Sequence, residues 1–290
     1  MIIRPHLLYV YPWMPYPRRV IIYLREKRIP SRLVTIVRVS DPQHGDTAAP
    51  GFPPRPKGSL PILAIPNELL CPNATTRPSS PAAEDANGYE HVSQSLAIVA
   101  YLEGLCTAGA YGFPQSRPMR PLAAADPLTR ARYEESLRLA DELLPTWNPV
   151  RLFGTGLGPL KLPSAAYESL RWTHRQLAAV EAQLSRSGQY WESLKDEETA
   201  VTIADVVLYQ FCEFTKEVYG VDVTTGGIDK EKDVYGRDAV KGYPNLRAFY
   251  EAFGERGSAQ LYEEKGEVAT QRVKEGGRTW WEGCGLDESA

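Results

Sequence analysis

The spacing of apolar residues changes once along this chain, and that change limits the folds open to it. Up to Cys106 they come in short runs bounded by proline and glycine, as in HLLYV and LPILAI; beyond the Gly/Pro-rich stretch 107–125 they recur only at helical intervals. A chain of 290 residues could be one large domain or two small ones, and length favours two. The pattern therefore predicts two domains of different class, mixed α/β first and all-helical second.

In the first part, His6 to Tyr11 reads as a buried strand and Arg18 to Arg28 as a helix. Pro15 and Pro17 suit a first turn that has no use for its N–H groups. Val20 to Leu24, five apolar residues in a row, could equally be a strand. Ser31 to Val39 is β-branched and alternating, a second strand. KGSLPILAI (Lys57 to Ile65) is a turn with a proline at the mouth of an apolar run. Tyr89 to Val92 reads as a short strand, and Ser93 to Cys106 as a helix with Ile98, Val99, Leu102 and Leu105 on one face. The resulting order is β-α-β, then β-β-α. Pro66 to Gly88, rich in Pro, Ser, Ala and Asn without periodicity, reads as an exposed, mobile insertion between the halves.

In the second part, Tyr133, Leu137, Ala140, Leu144 and Trp147 form one helical stripe, and Leu170, Leu177, Val180 and Leu184 another. AVTIADVVLYQF carries a capping box: Thr202 is the N-cap, Asp205 returns the hydrogen bond, and Val201 faces Val206 as a hydrophobic staple. YPNLRAFYEAF begins a further helix at Tyr243. His174, a lone histidine beside an apolar stripe, reads as a packed or surface residue. Trp280 and Trp281 end the chain in a polar, Gly-rich tail.

Composition narrows the partners. With 43% hydrophobic residues, 24% charged residues and a formal net charge of −3, nothing attracts the chain to nucleic acid. Cys71, Cys106, Cys212 and Cys284 lie far apart with no metal-ligand spacing, which predicts neither a zinc site nor a disulfide framework and fits a reducing, cytoplasmic setting. No run approaches the roughly 18 apolar residues of a membrane span, so no membrane partner is expected.

Four stretches taken together, SLPIL (Ser59 to Leu63), VSQS (Val92 to Ser95), TIADV (Thr202 to Val206) and YPNL (Tyr243 to Leu246), make the chain resemble the cytosolic glutathione transferase family. The resemblance covers nearly the whole chain apart from the insertion and the tail. It implies the glutathione S-transferase fold: a thioredoxin-like α/β domain (βαβ-ββα) over 1–106 with an inserted loop 66–88, a linker 107–125, an all-α helical bundle over 126–260 and a C-terminal extension 261–290.

The resemblance also implies glutathione as co-substrate. Pro61 would be a cis-proline, a form open to X-Pro bonds at about 0.5–1 kcal/mol, exposing the Leu60 backbone to a peptide ligand lying antiparallel. Gln94 and Ser95 would hold the γ-glutamyl carboxylate at a helix N-terminus, with Met14, Lys57 and Ser59 completing the glutathione site. The alternatives are a strand-edge proline without ligand, and Ser93 or Ser95 as a plain N-cap.

Within YPWMPYPRR (Tyr11 to Arg19), Met14 falls where cysteine-type members of that family carry the cysteine of a Cys-Pro motif. Methionine forms no mixed disulfide, so thiol-disulfide exchange is not expected. Lowering a thiol pKa by two units takes about 2.7 kcal/mol of preferential thiolate stabilisation. Tyr16 and Tyr11 are the candidate catalytic donors, with Arg18 and Arg19 as electrostatic support; the alternative is that these residues close the domain or line a dimer interface.

Trp13, Tyr133, Trp147 and Trp280 are expected around a hydrophobic second substrate held between the domains. The resemblance implies a homodimer joined through Leu96 to Leu105 and Pro127 to Trp147. The functional expectation is an enzyme using the glutathione thiolate on a small hydrophobic electrophile. The alternative is a binding or regulatory protein that keeps the fold without turnover. The insertion could serve as a partner-docking loop or a substrate lid.

Overall fold

The computed structural model describes residues 4–40, 45–70, 88–116, 118–120, 125–154, 160–188, 190–225, 234–238 and 242–261. The chain divides into two compact units, Met1–Pro118 and Met119–Ala290.

The first unit is built on a four-stranded sheet: β1 (His6–Val10), β2 (Val34–Arg38), β3 (Ile62–Pro66) and β4 (Tyr89–Ser93), in the order β2-β1-β3-β4. β1 pairs with β2 in parallel and with β3 antiparallel, and β3 pairs with β4 antiparallel. This is the βαβ-ββα order expected. Every residue of β1 and β3 is buried, which is why both read as continuous apolar runs rather than alternating ones. Leu7, Tyr9, Val37, Val39, Ala64 and Tyr89 pack into one cluster, with Tyr11, Ala48 and Leu60 against it.

Among the described residues this unit has three α-helices, α1 (Pro15–Glu26), a single turn α2 (Asn67–Leu70) and α3 (Ser95–Ala108), followed by a 3-10 turn at Ala110–Gly112. α1 begins three residues before the predicted Arg18, because Pro15 at its first position presets φ and lacks only an N–H that would be orphaned anyway. The five-residue apolar run Val20 to Leu24 is helical and buried throughout. α1 packs on α3, and across that contact Tyr23 donates to Glu103 Oε2 at 2.7 Å while Lys27 pairs with the same carboxylate at 2.9 Å.

The insertion is anchored at both ends. Pro66 is the last residue of β3, and the Asn67 N–H donates to the Gly88 carbonyl at 3.1 Å. Arg4 donates to the same carbonyl at 2.9 Å, pairs with Glu68 at 2.8 Å and lies over the Tyr89 ring. The predicted exposed stretch 66–88 therefore has structured ends; 71–87 lie outside the described residues.

The second unit is helical: α4 (Pro127–Pro149), α5 (Pro163–Arg186), α6 (Ile203–Tyr219) and α7 (Pro244–Gly254), with no strand among the described residues. α4 packs on α5 and α6, and α7 on α5 and α6. All of Ile203 to Thr215 is buried, making α6 the centre of the unit. The capping box forms as predicted: Asp205 accepts from the Thr202 N–H at 2.7 Å and its own N–H donates to Thr202 Oγ1 at 3.3 Å. Asp205 also accepts from the Tyr190 hydroxyl at 2.6 Å. The YPNL helix is capped from outside. Glu181 on α5 accepts from the Asn245 and Leu246 N–H groups at 3.0 and 2.9 Å, placing a negative charge at the start of α7.

Candidate functional site

One end of the sheet gathers the three stretches singled out in the first unit. Tyr9 stands opposite Ile62 in β1–β3, and Ile62 stands opposite Ser93 in β3–β4. Continuing both registers by one or two residues sets Leu60 and Pro61 between Tyr11 on one side and Gln94–Ser95 on the other. Tyr11 and Leu60 pack against the same apolar cluster. The Tyr11–Met14 turn, the Lys57–Pro61 segment and the start of α3 therefore share one end of the sheet.

Each member is shaped by its own sequence. The Leu60–Pro61 bond is cis, and Leu60 lies outside the ladder, which begins at Ile62. Among the described residues its N–H and C=O have no protein hydrogen-bond partner. Lys57 and Ser59 are exposed and Leu60 is half-buried. At the neighbouring helix start, Gln94 has φ +74° and ψ +118° and makes no side-chain cap, whereas Ser95 is buried. A non-glycine residue in that region costs about 1–3 kcal/mol and persists where the surroundings enforce it, commonly at a binding site. The plain-cap reading of Ser93 is corrected by this geometry, since Ser93 is the last residue of β4 and the N-cap is Gln94.

The start of α1 is unusual in its donors. Met14 is the N-cap in extended conformation, with no side-chain capping bond. Pro15 and Pro17 carry no N–H, and the Arg18 N–H is taken by the Met14 carbonyl at 3.0 Å. Among the described residues this leaves the Tyr16 N–H as the free backbone donor of the first turn. Its ring is half-buried beneath the Arg19 guanidinium, 5.0 Å from the ring centre. Arg18 and Arg19 are buried, and Met14 and Trp13 half-buried.

Tyr11 is placed differently from the role expected of it. Its hydroxyl donates to Asp46 Oδ1, so the proton a thiolate would need is already committed to a carboxylate. Arg55 donates to the other oxygen of Asp46, and Arg55 first, then Tyr11, hold that carboxyl below its usual range. Neither Asp46 nor Arg55 was singled out in the sequence. The only local signal is the Gly45-Asp46 pair, which reads as a turn without naming a partner.

Of the proposed pocket residues, Trp13 stands in the first unit and Tyr133 and Trp147 on α4 in the second. Trp147 is fully buried, edge-to-face on Tyr219 with ring centres 6.4 Å apart, and Tyr133 is buried as well. Trp147 is thus a core residue offering no surface to a ligand. Its apolar stripe is the face α4 turns toward its own bundle. Trp280 lies outside the described residues. His174 is buried, its Nδ1 3.0 Å from the Tyr243 hydroxyl, and burial lowers its pKa to about 4. No group of three or more His, Cys, Asp or Glu among the described residues is arranged to hold a metal ion, and no described helix is long and apolar enough to cross a membrane.

Residues 13–105 match the family model for the glutathione S-transferase N-terminal domain. No curated protein sequence matches the chain. Among solved structures it is similar to glutathione transferase URE2P8 from Phanerochaete chrysosporium, crystallised with oxidized glutathione, at 17% identity and TM-score 0.55, covering 91% of this chain and 96% of that one. It is also similar to a glutathione transferase family member from Pseudomonas fluorescens Pf-5 with bound glutathione, at 18% identity and TM-score 0.54, covering 88% and 96%. A third likeness is to Leishmania TDR1, a trimeric glutathione transferase, at 18% identity and TM-score 0.50. That match covers 95% of this chain and 48% of TDR1, so the chain spans about half the length of that protein. At these identities the likeness is one of fold.

Proposed function

We propose that the chain, whose residues 13–105 match the glutathione S-transferase N-terminal domain model and whose fold is that of glutathione transferases, binds glutathione at the shared end of the sheet and uses the thiolate on a small hydrophobic electrophile. The observation that carries this reading is the convergence of an unpaired Leu60 backbone with the strained Gln94–Ser95 helix start. A γ-glutamyl peptide has both features to satisfy: a backbone that pairs antiparallel and a terminal carboxylate that suits free N–H groups at a helix start. Met14, Lys57, Ser59 and Pro61 border the same end.

In this reading Tyr16 activates the sulfur. It supplies the free N–H of the first turn and a hydroxyl on the same residue, next to the positive end of the α1 dipole. Conjugation, thioether or ether cleavage and glutathione-assisted isomerisation all use that one thiolate. With methionine at position 14 no mixed disulfide forms at that loop, so disulfide exchange of the cysteine-type kind is not expected. A cytoplasmic homodimer through α3 and α4 belongs to the same reading.

A second reading, a glutathione-binding protein without turnover, is favoured by one observation: the Tyr11 hydroxyl is committed to Asp46, which leaves Tyr16 as the remaining side-chain donor of the pair. Retention on immobilised glutathione, followed by assays with an aromatic electrophile and with a small disulfide, separates the two. We expect retention, turnover of the electrophile and none of the disulfide. Retention without turnover selects the second reading, and failure to bind glutathione overturns both.

A further inference from the structure

We propose that Asp46 is a positioning residue for glutathione, holding the Lys57–Leu60 segment at the site through Arg55 and fixing its neighbour Tyr11; this rests on the glutathione reading above. The segment needs such a tether. From Pro50 to Pro56 four residues are proline and lack an N–H, which leaves this part of the stretch between β2 and β3 few donors for a ladder. Among the described residues its backbone bonds lie at the start: the Ser40 N–H donates to the Thr47 carbonyl at 2.8 Å, the Ala49 N–H to the Arg38 carbonyl at 2.9 Å, and the Phe52 N–H to Ala49 at 3.4 Å. From there to Ile62, side chains do the holding. Tyr9 donates to the Pro53 carbonyl at 3.2 Å. Arg55 Nη1 donates to the Pro56 and Gly58 carbonyls at 3.1 and 2.8 Å, while its Nη2 binds Asp46.

The geometry is a fork with Asp46 at its base. One carboxylate oxygen takes the Tyr11 hydroxyl from the end of β1 and the other takes Arg55, whose second arm grips Gly58, two residues before Leu60. Asp46 sits at φ +53° directly after Gly45 at φ +99°, a left-handed pair that aspartate tolerates better than most residues. Gly58 is itself at φ +127°, a conformation strained for any side chain, so the carbonyl that Arg55 grips is set by the turn. Removing the carboxylate would free Arg55 and let the Leu60 backbone sample orientations that do not meet a ligand.

The test uses the full chain with two readouts: trypsin cleavage after the exposed Lys57 under native conditions, and the glutathione dissociation constant by calorimetry. Asp46→Asn keeps left-handed tolerance while losing the charge; Arg55→Met leaves residue 46 intact. Each variant is expected to speed Lys57 cleavage about tenfold and to weaken glutathione about tenfold, the loss of a single charge-assisted tether. The double variant should be no worse than either single one, because both act through the same tether. Asp46→Glu should recover part of the affinity. Unchanged cleavage overturns the proposal, as does faster cleavage with unchanged affinity. Cleavage that rises equally at sites throughout the first unit also overturns it, because that is general loosening. If the wild-type chain does not bind glutathione, the functional reading fails by itself, and the cleavage arm still decides whether Asp46 holds the segment.

Discussion

Under the proposed function, Tyr16 is the residue assigned to activate the thiol. A hydrogen bond to a charged acceptor contributes about 1.5–3 kcal/mol, so Tyr16→Phe should raise the pKa of bound glutathione by roughly 1–2 units. Titrating the thiolate absorbance with pH measures this directly, and an unchanged value would move thiolate stabilisation to the Tyr16 N–H and the helix dipole. Met14 makes the complementary prediction. Placing a thiol there, Met14→Cys, should allow a mixed disulfide with glutathione that peptide mass mapping locates at residue 14, whereas the wild-type chain gives none at that position. Tyr11 shows why residue identity alone misleads: the strand brought a tyrosine to the right end of the sheet, but Asp46, thirty-five positions away, accepts its hydroxyl hydrogen bond.

Capping decides the elements. The Thr202–Asp205 box was readable because both partners lie within four residues, so spacing alone brings them together. Thr202→Ala should cost the second unit about 1 kcal/mol. Asp205→Ala should cost about 3 kcal/mol, since it also leaves the Tyr190 hydroxyl and the Thr202 N–H without their acceptor. Urea unfolding of both variants checks the order, and equal losses would mean that Tyr190 finds another partner. The cap on α7 was unreadable for the opposite reason: Glu181 reaches Asn245 and Leu246 from another helix, sixty-four and sixty-five positions away. At α1 the two prolines marked the start correctly in kind, and the helix simply begins at the first of them.

On the scale of the whole molecule, two buried histidines make stability depend on pH. His6 in the first unit, its ring nitrogens on the Leu33 carbonyl and the Tyr101 hydroxyl, has its pKa lowered to about 4 by burial, as does His174 in the second. A folded pKa below the unfolded value of 6.5 means the unfolded chain binds more protons between the two. Stability is therefore complete above about pH 6.5 and is lost as pH falls toward 4, by at most about 3 kcal/mol per histidine. Unfolding midpoints at pH 7 and pH 5 should differ accordingly, and His174→Gln should flatten the slope. A slope unaltered by that substitution would assign the acid sensitivity to other groups.

The sequence by itself determined the class of each half, the order β-α-β then β-β-α, the capping box and the absence of a nucleophile at residue 14. Each of these depends on residues close in the chain or on composition, which period and propensity report directly. Tertiary structure alone decided that Trp147 is core, that Gln94 takes a strained turn at the start of α3, that Asp46 holds Tyr11 and Arg55, and that Glu181 caps α7. Those outcomes rest on pairings between distant segments, fixed by strand register and helix packing, and spacing along one sequence carries no information about such partners.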